Sequence, residues 1–218
     1  MSQTQLSNIS VAVPPALQES TSKRMAQRLP QDYQSWKLQP AVPNKAGGKS
    51  AGITDVDGNP VTLFTAHCRV PFDAVGFQDP EASRVNLAME ANPEIVSWVQ
   101  GLDAHMVALL ASRSQVYFGK VLSEAEVRAN YHSCIREEDK YGSRLLKLKM
   151  NKAGRGTVRV WNEAGLARSQ PASWQECVVQ TRAVLEGIWF QGRNFGVTWE
   201  ATDVLLKSEG DVVMECPF

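Results

Sequence analysis

Residues 144–161 read RLLKLKMNKAGRGTVRVW. In the first half, Leu146, Leu148 and Met150 alternate with Lys147 and Lys149. Successive side chains of a strand point to opposite faces, so this spacing predicts a strand with one apolar and one basic face. Residues 151–156 (NKAGRG) form a turn carrying Lys152 and Arg155. Residues 157–161 alternate again, with Val158 and Val160 on one face and Arg159 and Trp161 on the other. If the two strands pair as a hairpin, Lys147, Lys149, Arg159 and Trp161 share one face.

Downstream, residues 175–190 read as one long strand or a pair bent at Gly187, residues 192–196 (GRNFG) as a tight loop, and residues 197–206 as a final strand. Upstream, the β-branched stretch 61–70 reads as a strand, and residues 40–60, with Pro40, Pro43, Pro60, Gly47, Gly48, Gly52 and Gly58, as a loop. The middle is helical. Asn92-Pro93 is an N-cap followed by proline at the first helical position, and Ile95, Val99, Leu102, Met106 and Leu109 or Leu110 recur at helical spacing. Ser123 and Glu126 make a capping box for a second helix running to about Ile135. Short antiparallel strands with a helical insertion favour a small closed barrel over a parallel sheet: mainly β, an OB-fold-like five-stranded Greek-key barrel plus about two helices. The expected organisation is a flexible or loosely docked segment 1–30, one domain 31–207 with a helical insertion at about 92–136, and an acidic tail 208–218 ending in Phe218.

The chain has 218 residues, 43% hydrophobic and 21% charged, enough to bury a core. No run approaches the roughly 18 apolar residues of a membrane-crossing helix, and the start lacks a basic segment before an apolar one, so neither membrane insertion nor secretion is expected. Cys68, Cys134, Cys177 and Cys216 are too scattered for a disulfide framework or a zinc ribbon, which fits a reducing, intracellular compartment. Gly47-Gly48-Lys49-Ser50 lacks the spacing of a phosphate loop. His67-Cys68 and His132-x-Cys134 lack zinc-site spacing, and no G-x-S-x-G, H-E-x-x-H or G-x-G-x-x-G motif occurs. No catalytic residue, metal or cofactor is therefore expected.

The zero net charge is unevenly distributed. Residues 141–193 carry nine basic and three acidic side chains, and residues 194–218 carry one basic and five acidic ones. Cations beside rings are what single-stranded nucleic acid requires, because cations neutralise phosphates and rings stack on bases. Lys147, Lys149, Lys152, Arg155, Arg159 and Arg193 are the phosphate candidates. Trp161, Trp189, Phe195 and, more weakly, Trp199 are the stacking candidates, with a core position as the alternative for each tryptophan. The tail SEGDVVMECPF offers acids and a terminal aromatic to a basic groove or a partner's pocket; a final strand through Val212, Val213 and Met214 is the alternative.

Residues 141–150 (YGSRLLKLKM), 157–161 and 185–206 (LEGIWFQGRNFGVTWEATDVLL) together resemble the single-stranded DNA-binding proteins of large eukaryotic DNA viruses, which are related to the replication single-stranded DNA-binding protein of short-tailed phages. The basic strand of that family matches Leu146 to Lys149, and its Gly-Ile-Trp-Phe stretch matches Gly187 to Phe190. The resemblance implies an OB-fold barrel with a helical insertion and cooperative coating of single-stranded DNA in replication, recombination or repair, at the site of viral DNA replication in cytoplasm or nucleus. It implies a homo-oligomer, and recruitment of a polymerase, helicase or primase through Asp211, Glu215, Pro217 and Phe218. The tail departs from the family's strongly acidic end, because Val212, Val213 and Met214 interrupt its acids. The rival reading is a structural or scaffold protein of a virion or complex that uses the same barrel for protein contacts.

Overall fold

The alternating stretch does become strand, but its two halves do not pair with each other. In the computed structural model, which describes residues 26–44, 47–74, 76, 79, 82–138 and 142–207, they lie in tandem along one edge of a longer strand. The amino-terminal strands are β1 (Lys37–Leu38), β2 (Val42–Pro43), β3 (Lys49–Ala51), β4 (Ile53–Thr54), β5 (Thr62–Phe64), β6 (Cys68–Arg69) and β7 (Arg84–Glu90). Three helices follow: α1 (Pro93–Ser112), α2 (Ser114–Phe118) and α3 (Glu124–Arg128). The remaining strands are β8 (Tyr131–His132), β9 (Ile135–Glu138), β10 (Ser143–Asn151), β11 (Arg159–Asn162), β12 (Ala167–Arg168), β13 (Val178–Gln191) and β14 (Asn194–Leu206).

The chain is mainly β, as the alternation predicts. β13 and β14 form the long antiparallel hairpin at its centre. On its other edge β14 takes β8, β10 and β11 in succession, all parallel to it. β13 takes β3, β5 and β6 on its far edge, and β7 pairs antiparallel with β10. Arg69 of β6 then bridges Glu90 of β7 at 3.0 Å and Glu176 at 2.7 Å. The path β5/β6–β7–β10–β14–β13 and back to β5/β6 is therefore a five-membered OB-like barrel whose parallel pair is β10 and β14. Inside it lie Leu63, Leu87, Met89, Leu146, Leu148, Met150, Ala183, Trp199 and Val204, all nearly inaccessible to water.

Both helix caps form as expected. Asn92 Oδ1 accepts from the Ile95 N–H at 2.8 Å, and the Ser123–Glu126 capping box is complete. Helix α1 packs seven residues into the core, among them Ile95, Val99, Leu102, Met106 and Leu110. By length and composition α1 also passes as a membrane-crossing helix, a property that core helices share.

Several expectations need correction. The second helix ends at Arg128, not near Ile135. Tyr131 pairs with Phe195 and Ile135 with Leu146, so the i, i+4 apolar pattern from Val127 is taken over by sheet pairing. The strand expected at 61–70 is split, because Thr65 turns to bond Thr181 through backbone and hydroxyl. The loop 192–196 shrinks to Gly192-Arg193. Gly192 has φ 60° at the first central position, where a type II′ turn takes glycine, while Asn194, Phe195 and Gly196 already belong to β14. Residues 26–30, the end of the segment expected to be flexible or loosely docked, take the second form: Arg28 bridges Phe64, Leu29 is buried, and the Pro30 carbonyl accepts from Trp98 Nε1 at 2.8 Å. Residues 1–25 and 208–218 lie outside the described residues.

The bend at Gly187 is as expected. Its φ is +135°, and a Cβ there would sit 2.1 Å from the Ala51 carbonyl oxygen. A register shift between Leu185 and Gly187 marks a bulge that lets β3 close on β13. A second shift, between Arg182 and Ala183, keeps Asp203 on the same outer face as Glu200 despite their odd spacing.

Candidate nucleic-acid interface

The outer face of the barrel is built from positions that alternate with the core. On β10 these are Lys147 and Lys149, on β7 Arg84 and Asn86, on β13 Glu186 and Trp189, and on β14 Thr198, Glu200 and Asp203. Register sets Asn86 opposite Lys149, and Ser50 and Gly196 on either side of Trp189. A groove of about 650 Å³ runs over this face, lined by Trp189, His132, Lys147, Lys149, Arg84, Asn86, Ser50 and Thr198 among others.

Small neighbours keep the Trp189 ring open. A Cβ at Gly196 would lie 2.3 Å from the His132 carbonyl oxygen and 3.2 Å from Trp189 Nε1, so only glycine lets β8 and the indole approach together. The His132 ring lies beside Trp189, centroids 5.8 Å apart and planes tilted by 33°. Asn86 Oδ1 is buried and has no hydrogen-bond partner among the described residues, which leaves an acceptor at the groove floor.

The electrostatics are crowded. Burial first, then the charges of Lys147 and Arg84, push the Lys149 ammonium below its ordinary pKa. Arg84 Nη2 contacts Glu186 Oε2 and lies 3.2 Å from Glu200 Oε2. Burial, followed by the hydrogen bond and charge of Glu186, pushes the Glu200 carboxyl up to about 7, with Arg84 pulling it down.

The structure divides the candidate residues. Lys147, Lys149 and Trp189 meet on the groove. Arg159 and Trp161 lie on the outer face beside Asp203 and are spent on it. Arg159 Nε donates to Asp203 Oδ1 and Nη2 to Oδ2, both at 2.8 Å, and Trp161 Nε1 donates to Oδ1 at 3.1 Å. Arg182 Nη1 adds a contact at 3.3 Å. Lys152 and Arg155 sit in the turn after β10. Arg193, with Lys49 and Lys120, lines a second groove of about 790 Å³ at the β13–β14 turn.

Two stacking candidates are corrected. Phe195 is 2% exposed, packed among Phe118, Tyr131 and Phe190, with the Phe118 centroid 5.0 Å away. Trp199 is 1% exposed and packs on Trp98 at 5.8 Å. Neither ring has a free face for a base. The tail candidates Asp211, Glu215, Pro217 and Phe218 lie outside the described residues.

Sequence reasoning missed Arg84, Asn86 and His132. The strand holding Arg84 and Asn86 reads RVNLAME, and its Leu-Ala-Met-Glu run of strong helix formers hides the alternation of Val85, Leu87 and Met89. His132 was expected on a helix. The cysteines near the histidines are structural: burial pushes the Cys68 thiol up to about 11 and raises that of Cys134 further.

The barrel thus carries Arg84, Lys147 and Lys149 of β7 and β10 beside the half-buried Trp189 ring of β13; in OB-like barrels as a class, the corresponding pair of strands is a face that binds oligonucleotides and oligosaccharides. By sequence the chain belongs to DUF5871, a family of unknown function whose model matches residues 73–217. No curated protein matches it. Among solved structures it is similar to the single-stranded DNA-binding protein from bacteriophage Enc34, at 13% identity and a TM-score of 0.45, covering 81% of this chain and 96% of that one. The same phage protein in complex with single-stranded DNA matches at 12% identity and 0.44, covering 79% and 96%. The single-stranded DNA-binding protein gp2.5 of bacteriophage T7 matches at 13% identity and 0.44, covering 71% and 98%.

Proposed function

We propose that this chain binds single-stranded DNA with little sequence preference in the groove over β7, β10, β13 and β14. The observation that carries this reading is the open Trp189 ring, beside His132, on the same concave face as Lys147, Lys149 and Arg84. The lysines neutralise phosphates, Trp189 stacks on a base, and the Asn86 oxygen accepts from a base N–H. Lys49, Lys120 and Arg193 extend the cationic track past the β13–β14 turn. The activity is binding and protection, without a catalytic step or cofactor. It serves replication, recombination or repair of viral DNA inside the host cell, with self-association along the strand. The acidic tail recruits a replication partner.

Titration of intrinsic fluorescence with unlabelled oligo-dT at low and moderate salt tests the reading. Quenching that weakens with salt and disappears in Trp189→Ala supports it. No quenching at low salt overturns it and favours the scaffold-protein alternative.

A further inference from the structure

The three groove cations are not equally accessible to a phosphate. Lys147 and Arg84 are both exposed, but Arg84 is clasped by two carboxylates from two different strands, Glu186 of β13 and Glu200 of β14. Glu200 is further held by Asn151 Nδ2, which donates to its Oε1 at 3.0 Å, and its side chain is only 17% exposed. An incoming phosphate has to take Arg84 from these carboxylates while being repelled by them. Removing one of their negative charges relieves both obstacles at once.

We infer that Arg84 is a phosphate site closed by the Glu186–Glu200 carboxyl pair, and that seating a nucleic-acid strand in the groove draws one proton onto that pair. This rests on the single-stranded DNA reading above. The charged and titratable groups facing Glu200 are Arg84 from β7, Lys149 with Lys147 beyond it from β10, and Glu186 from β13. His132 of β8 lines the same groove.

The sign follows from the charges. Burial and Glu186 push the Glu200 carboxyl up to about 7 in the empty groove, so near neutrality the pair holds a proton about half of the time. A bound phosphate adds negative charge and tightens the hold on the proton. Binding therefore takes up a proton, and affinity rises as pH falls through about 7, by at most about tenfold per pH unit for one proton.

The test is anisotropy of a rhodamine-labelled oligo-dT at fixed salt, between about pH 6 and about pH 8, for the wild type and for Glu200→Gln, Glu186→Gln and His132→Gln. Calorimetry in two buffers of different ionisation enthalpy counts the protons taken up. The wild type is expected to bind about three- to tenfold tighter at the acid end, with close to one proton absorbed at the alkaline end and almost none at the acid end, where the pair already holds it. Glu200→Gln should bind at the alkaline end as the wild type does at the acid end, with a flat profile, and His132→Gln should keep the dependence. Glu186, half exposed, gives a second variant that does not disturb the core. The inference is overturned if Glu200→Gln and Glu186→Gln both retain the wild-type profile, or if no proton is absorbed at the alkaline end. Binding that requires Trp189 but ignores pH removes this inference and leaves the binding reading standing. Absence of binding at every pH removes both.

Discussion

Replacing Lys147 and Lys149 together by alanine separates charge from stacking in the proposed groove. Six cations line the track in the two grooves: Arg84, Lys147 and Lys149 in one, Lys49, Lys120 and Arg193 in the other. Each phosphate neutralised on a single strand contributes about −0.7 to the slope of log affinity against log salt, so full engagement gives about −4.2. A fourfold rise in salt then weakens binding roughly three-hundredfold. The double variant should lower the slope by about 1.4, so that the same rise costs only about fiftyfold. Trp189→Ala should behave differently, losing about 1–3 kcal/mol, or roughly 5- to 150-fold in affinity, with the slope unchanged. The lysines face outward, and the Lys147 backbone N–H keeps its 2.8 Å bond to the Cys134 carbonyl whatever the side chain, so the fold should survive. Titration of oligo-dT at five salt concentrations, with melting curves as a control, measures both quantities. An unchanged slope in the double variant would refute the assignment of the phosphate track to β10.

Three further outcomes concern the scaffold. Gly187→Ala forces a Cβ onto the Ala51 carbonyl oxygen at 2.1 Å in a left-handed conformation, and should destabilise by about 3 kcal/mol, or roughly 6–12 °C in melting temperature. Phe195→Ala should cost about 3–5 kcal/mol in urea unfolding while folded molecules quench as before, the opposite of Trp189→Ala. Asp203 is opposed by burial but held below the usual carboxylate value of 3.8 by bonds from Arg159, Trp161 and Thr202. Its contribution is therefore complete above that value and lost as pH falls below it. Asp203→Asn should cost about 1–3 kcal/mol at neutral pH in urea unfolding and flatten the loss of stability in acid.

The parts legible in the sequence were those whose signal is local. Caps at Asn92 and Ser123 are set by residues within one helical turn, and the two-residue period of Leu146, Leu148 and Met150 is set by burial of one face. Partner choice is not local. That β10 and β11 each pair with β14 and not with each other follows from the long β13–β14 hairpin, which offers a whole edge to three strands in turn. The same hairpin turned apolar helix spacing into strand at Tyr131 and Ile135, and carried Phe195 and Trp199 inward while leaving Trp189 out. Alternation from the bulge at Gly187 separates the inward Ile188 and Phe190 from the outward Trp189, and no composition argument distinguishes one tryptophan from another.

Two acids on β14, three residues apart, organise the outer face. Without the bulge before Asp203, Glu200 and Asp203 would point to opposite sides; with it, both face outward and divide the basic surface in two. Asp203 gathers Arg159, Arg182 and Trp161 into a closed cluster, so those side chains brace β11 and β13 against β14 and offer little to a ligand. Glu200 instead shares Arg84 with a second carboxylate, and the lysines beside it stay directed at the groove. The basic block 141–193 is thus part mortar and part binding surface. The number of cations in a stretch overstates the charge a ligand meets, because ion pairs with Glu137 and Asp203 engage Arg144, Arg159 and Arg182. The Lys147/Lys149 pair, which no acid among the described residues clasps in this way, is where salt dependence should concentrate, and substitution of Arg159 should change stability before it changes binding.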